Sequence, residues 1–200
     1  MSSSATTSRT NGLSTRQVET INRLVDAAVE EIREVELAGL TVRNVAARAG
    51  VAPATAYTYF ESKEHLVSEV FWRRLQTLDM PDATDARSPA ERVAGALRAV
   101  ADLVADEPEI SAAVTTALLA HDAAVKRLRD RIGLNIRQRL TMAMGSDDAD
   151  VVSALELLYA GALLQAGTGH LSYDELGDRL VAAATLILGG HHVGGSIQSV

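Results

Sequence analysis

Apolar residues recur along this chain at intervals of three and four and almost never in alternation, which predicts helices throughout and no run long enough for a sheet. Val18, Ile21, Val25, Ala28, Ile32 and Val35 form one stripe, opened by a capping box of Ser14 with Gln17 and closed at Gly39, so a first amphipathic helix is expected over about 15–38. Thr41 as N-cap and Gly50 as stop bracket a second, and Pro53, in the first helical position, starts a short third that reaches Tyr59. Ser62 caps a fourth, which turns Leu66, Val67, Val70, Phe71, Leu75 and Leu78 inward. Residues 79–87 read as a linker. Ser88-Pro89-Ala90-Glu91 joins a capping box to an initial proline and opens a fifth helix, which Glu107-Pro108 breaks. Further helices are expected at about 108–120, 123–144, 149–166 and 172–188, with Gly145 and Gly189-Gly190 as stops. The expected class is all-α, with about nine helices.

At 200 residues, 47% apolar and only 22% charged, the chain has enough hydrophobic material for a substantial core. With no cysteine it has no disulfide framework, thiol nucleophile or cysteine-based metal site, which suits a reducing, cytoplasmic setting. Charged or polar residues punctuate every apolar run, so no membrane span is expected. Residues 1–14 read as a polar tail without the apolar block of a secretion signal, and 191–200 as a loose tail. Arg9 and Arg16 could touch phosphate, although a plain leader is the simpler reading.

The net charge of −7 argues against a nucleic-acid partner until it is divided along the chain. Residues 1–75 hold nine Lys+Arg against nine Asp+Glu, so the whole excess of acid lies beyond them. A neutral N-terminal module on an acidic body can bind DNA if its cations share one face.

Residues 41–60 supply such a module. Two short helices joined by a glycine turn, with Val42, Val45, Ala46, Val51 and Phe60 available to pack on the first helix, match a helix-turn-helix. The second of the pair offers Ala54, Thr55, Thr58 and Tyr59, a face of methyls and hydroxyls with no carboxylate to repel phosphate. Tyr57 and Tyr59 lie about 200° apart around a helix, so at least one of them faces outward. Phe60 is read as core.

Gly50-Val-Ala-Pro-Ala-Thr-Ala-Tyr-Thr-Tyr-Phe-Glu-Ser-Lys-Glu-His-Leu66 closely resembles the signature of the TetR family of transcriptional regulators, and the resemblance runs in order over about residues 15–75. It implies a DNA-binding domain over 15–62 and a ligand-binding and dimerisation domain over 63–190. It also implies phosphate or base contact by Arg43, base contact by Ala54 and Thr55, backbone contact by Tyr57 and Tyr59, groove contact by Thr58, and a phosphate held by Lys63. The physics is compatible, since helix N-termini attract phosphate and threonine suits mixed polar and thymine-methyl contacts. Three positions depart from the family pattern. Ala52 stands where a capping serine is common, Ala54 where glycine is common, and Ala56 where leucine is common, which thins the packing under the third helix.

For the body, the resemblance implies a bundle around a small-molecule pocket, with its last two helices paired against a second subunit. Val152, Leu155, Leu158, Tyr159 and Ala162 on one helix and Leu180, Ala184 and Ile187 on the next are the expected homodimer seam. Phe71, Trp72, His121, Met142, Met144 and Tyr159 are candidates for lining the pocket, each with ordinary core or surface placement as the plainer alternative. The segment from Pro108 to Asp122 is weakly similar to regulators of steroid and lipid breakdown.

Enzyme motifs are missing. There is no Gly-x-Ser-x-Gly elbow, His-Glu-x-x-His helix, Walker loop or dinucleotide fingerprint, and Gly167-Thr168-Gly169-His170 lacks a preceding strand. His191-His192 could catch a metal, but a tail is the plainer reading, and neither metal nor cofactor is expected. The sequence therefore reads as a non-enzymatic, homodimeric repressor that binds a near-palindromic operator and is released by a hydrophobic small molecule. The alternatives are a helical binding or interaction protein without DNA, and an enzyme.

Overall fold

The structure, a computed structural model, describes residues 14–194. Among the described residues it is built of nine helices and no strand: α1 Thr15–Gly39, α2 Val42–Arg48, α3 Pro53–Tyr59, α4 Lys63–Thr77, α5 Pro89–Ala105, α6 Pro108–Leu118, α7 Ala123–Met144, α8 Ala149–Gly167 and α9 Tyr173–Gly194. The starts follow the capping chemistry. Ser14 and Gln17 exchange bonds, as do Ser88 and Glu91, while the side chains of Thr41, Ser62 and Asp122 accept the N–H three residues on. Gly50 and Gly145 take the left-handed conformation that closes α2 and α7, at φ 64° and 71°.

Three expectations need correction. Gly189-Gly190 do not stop α9, which continues to Gly194, so helical backbone includes 191–194 of the expected tail. Glycine only weakens a helix, by about 1 kcal/mol relative to alanine, and neighbouring turns carry it through. Residues 1–13 and 195–200, Arg9 among them, and the side chains of His191 and His192 lie outside the described residues. Second, α1 reaches Gly39, but its regular geometry breaks earlier. Glu36 sits at φ 54°, ψ 178°, a conformation that favours glycine, and Leu40 then leaves extended. Third, α8 has the length and composition of a membrane span. Its hydropathy reflects apolar residues around most of its circumference, and a third of the residues in that stretch are buried in this chain.

One core runs from end to end. Leu24, Ile32, Leu40, Val45, Phe60 and Leu66 hold α1–α4 together, and Phe71, Leu75, Leu97, Ile110, Leu140, Leu155 and Leu180 continue it through the body. α4 belongs to both parts, packing on α1 at one end and on α5, α6 and α7 along its length, while α9 lies along α5 and α8. Gly167 lets α8 approach α6 closely, because a Cβ there would fall 2.4 Å from the methyl of Thr115.

Cations from neighbouring elements hold helix C-termini, where unpaired carbonyls and the negative dipole end favour them. Buried Arg139 donates to the carbonyls of Leu75, Leu78 and Asp79 at 2.7–3.1 Å, closing α4. Buried Arg92 donates to Ala143 and Met144 of α7 and also to Asp85 and Arg87, pinning the linker. Arg23 reaches Ala49 after α2, Arg74 reaches Leu103 of α5, and Arg129 takes Leu118 and Ala120 after α6.

Candidate nucleic-acid interface and effector cavity

The α2–α3 corner is set by a few residues. Gly50 turns the chain, Val51 N–H bonds back to Ala46 at 2.9 Å, and Pro53 opens α3 at no hydrogen-bond cost. Ala52 gives no side-chain cap, as its identity requires. Ala56 is fully buried under α3, so the small residue seats the helix closely on the core.

This leaves Ala54, Thr55, Tyr57 and Thr58 exposed on one short helix, with Tyr57 52% accessible. The hydroxyl of Thr58 donates to the Thr55 carbonyl at 2.6 Å, while that of Thr55 has no partner among the described residues. Tyr59 is half-buried against the core, and Phe60 is buried with its ring edge-on to His65 at 5.4 Å. Of the two tyrosines, Tyr57 is the outward one.

The electrostatics narrow the face further. Arg48 bridges to Glu31 at 2.8 Å and to Glu34, tying α2 to α1 and leaving no free charge. Arg33, Arg73 and Arg74 are likewise paired with carboxylates. Arg16, in the first turn of α1, and Arg43, in the first turn of α2, have no partner among the described residues, and Arg43 is exposed. Lys63, expected to hold a phosphate, is half-buried with its ammonium on the carbonyls of Leu37 at 2.9 Å and Ala38 at 3.3 Å. Sequence reasoning had no signal for this, because the α1 end and Lys63 are 25 residues apart along the chain.

Behind this module, Ser62 joins two caps. Its hydroxyl accepts from His65 N–H and donates to Asp122, which itself caps α7. Burial lowers the basicity of His65, whose Nδ1 accepts from Glu61 N–H at 3.4 Å.

In the body, a cavity of about 330 Å³ lies between α4, α6, α7 and α8. Phe71 and Tyr159 line it as expected, together with residues that were not anticipated: Val114, Thr115, Ile132, Ile136, Leu163 and Arg129. The other candidates do not line it. Trp72 is buried on a different side of α4 under the guanidinium of Arg131, 4.6 Å from the ring centre. His121 and Met142 are exposed, and Met144 is core at the far end of α7. Residue type gave no direction here, because each was chosen for its size or polarity rather than for its helical phase relative to Phe71.

The expected seam fares similarly. Val152, Leu155, Tyr159, Leu180 and Ala184 are buried within this one chain, and Leu158, Ala162 and Ile187 are half-buried against the same core. The five buried side chains cannot also meet a partner, whereas Leu158, Ala162 and Ile187 keep part of their surface outside. The exposed apolar positions on these helices are Leu157, Leu164 and Leu186, at 72%, 51% and 77% exposure, with small Ala160, Gly161 and Ala182 beside them.

Comparison with known proteins agrees with this architecture. Residues 24–70 match the bacterial regulatory proteins of the tetR family. The HTH-type transcriptional regulator Rv0767c of Mycobacterium tuberculosis is 50% identical over 179 residues, spanning 88% of this chain and 83% of the relative. The HTH-type transcriptional repressor KstR of Rhodococcus jostii is 26% identical over 182 residues, spanning 88% and 86%. Among solved structures, a TetR transcriptional regulator from Rhodococcus sp. RHA1 superposes with a TM-score of 0.71 at 26% identity, covering 84% of this chain and 96% of that one. A corner that presents α3 outward, a body that continues its core, and half-identity across most of the chain place this protein in the TetR family of transcriptional regulators.

Proposed function

We propose that the chain is a homodimeric repressor whose two α3 helices enter successive major grooves of a near-palindromic operator, and which a hydrophobic small molecule releases. The observation that carries this is the α3 face. Ala54, Thr55, Tyr57 and Thr58 stand exposed, α2 and α3 contain no carboxylate, and the unpaired cations of the module, Arg16 and Arg43, begin the helices around it. Thr55 and Ala54 are positioned as base readers, Tyr57 and Arg43 as backbone contacts. Lys63 is assigned to closing α1. That KstR is named a repressor supports repression.

The outward faces of α8 and α9 support dimerisation. Leu157, Leu164 and Leu186 with their small neighbours make an apolar surface that a second copy would cover in a four-helix seam. The cavity supports an effector. Phe71 lies on its wall and on α4, whose first turn holds the end of α1, so a molecule that displaces α4 alters how α3 is presented.

Genome-wide footprinting of bound DNA, followed by duplex binding over a salt series, tests this reading. Enrichment of inverted-repeat sites with a steep salt dependence is the expected result. Indifference to every duplex at low ionic strength would end it, and would leave Arg16 and Arg43 without a shared role.

A further inference from the structure

The polar groups of the cavity identify the kind of molecule it accepts, an inference resting on the effector reading above. The walls are apolar, from Phe71, Val114, Ile132, Ile136 and Leu163. Four polar or charged residues also line the space, and three of them are engaged. Thr115 shares a hydrogen with Tyr173 at 2.9 Å. Arg129 is held by the carbonyls of Leu118 and Ala120, and Glu156 pairs with Arg137 at 2.7 Å.

Tyr159 is the exception. It is only 7% exposed, and its hydroxyl makes no hydrogen bond to any described residue. The oxygen is not sealed in packing either, since the one side-chain polar atom both sealed and unpartnered among the described residues is the hydroxyl of Ser68. Burial pushes the phenol up from its ordinary value, so it is a donor at every physiological pH. A buried donor without an acceptor is costly, and the cavity is where an acceptor can be supplied.

The same inventory disfavours an anion. A carboxylate buried beside Tyr159 would exchange water for apolar walls, which costs more than burying an uncharged oxygen. Exposed Arg129 and Leu119 mark the opening, where Nη1 of Arg129 is held by the Leu118 and Ala120 carbonyls and Glu156 is neutralised by Arg137. We propose that the cavity takes an uncharged molecule with an apolar body and a neutral acceptor oxygen, such as a ketone, that accepts the hydrogen of Tyr159.

Three probes of equal chain length test this: n-undecane, 2-undecanone and undecanoate, titrated against the full chain and its variants by isothermal titration calorimetry. The ketone should bind roughly three- to tenfold tighter than the alkane, the worth of one net neutral hydrogen bond, with undecanoate the weakest. Tyr159→Phe keeps the ring and should abolish the ketone's advantage while leaving alkane affinity unchanged. Undecanoate binding tightest, or an unchanged ketone-to-alkane ratio in Tyr159→Phe, would overturn the proposal. Leu163→Trp, which fills the cavity, should abolish binding of all three, and retained binding would show that the probes sit elsewhere and overturn it too. If the unaltered chain binds none of them, the alkane included, the effector reading fails and the proposal with it.

Discussion

Arg33 on α1 donates to the carboxylate of Glu107 at 2.6 Å, and the same carboxylate meets Arg74 of α4 at 2.7 Å. Glu107 is the residue immediately before α6, so one side chain ties α1, the shared helix α4 and the start of a cavity helix. Its partners hold it ionised against the opposing effect of burial. The three side chains are partly exposed, so water screens both pairs and keeps each weak. Glu107→Gln, which weakens both pairs, should lower unfolding free energy, and in a double-mutant cycle with Arg33→Ala the two losses should fall short of additive. Full additivity in urea denaturation would show that the pair is uncoupled.

On DNA, Arg43→Ala and Arg16→Ala should each weaken operator binding and reduce the salt slope by about one unit, as the loss of one phosphate contact requires. Thr55→Ala should change base preference more than overall affinity. Lys63→Ala should leave the slope unchanged and lower the melting temperature, because its ammonium closes α1. A slope change for Lys63 equal to that for Arg43 would return it to the phosphate contacts.

Leu157→Glu and Leu186→Glu place charge on exposed apolar faces and should yield folded monomers by light scattering. Substituting buried Leu155 or Leu180 in the same way should unfold the chain instead, since each is a fully enclosed core side chain. A persistent dimer in both exposed variants would place the seam on another surface.

Glu36→Gly should stabilise the protein by about 1 kcal/mol, because glycine adopts φ 54°, ψ 178° without the steric penalty a Cβ brings. Calorimetric melting of the variant checks this, and a lower melting temperature would mean that the Glu36 side chain contributes more than its backbone costs.

Acid should loosen the α3–α4 junction through His65. Burial holds its imidazole below the ordinary value of 6.5, so between the two values the unfolded chain takes up a proton that the folded chain refuses. Stability is therefore complete well above pH 6.5 and falls as pH drops below it. His65→Gln should flatten the melting temperature between pH 7.5 and 5.5. Asp122 works in a separate window. Although burial alone would raise it, the Val125 N–H and the Ser62 hydroxyl hold it below its ordinary 3.8, so its contribution is lost only at lower pH.

Helix starts and the α2–α3 corner were legible in the sequence because they depend on contacts three or four residues apart. Ser14 with Gln17, Thr41 with Asn44, Gly50, Pro53 and Ser88 with Glu91 fix local geometry by themselves, and with it the outward aspect of Thr55 and Tyr57. Tertiary structure decided what depends on helical phase and on partners distant in sequence. α8 is apolar around most of its circumference, so periodicity could not separate the face of Leu155, taken by this chain's own core, from that of Leu157, left outside. Lys63 found the end of α1 and Trp72 the guanidinium of Arg131, while the cavity closed around Tyr159 rather than His121 or Met142. Short-range hydrogen bonds are written in residue order, but the choice among equally apolar or equally charged faces is made only when helices pack.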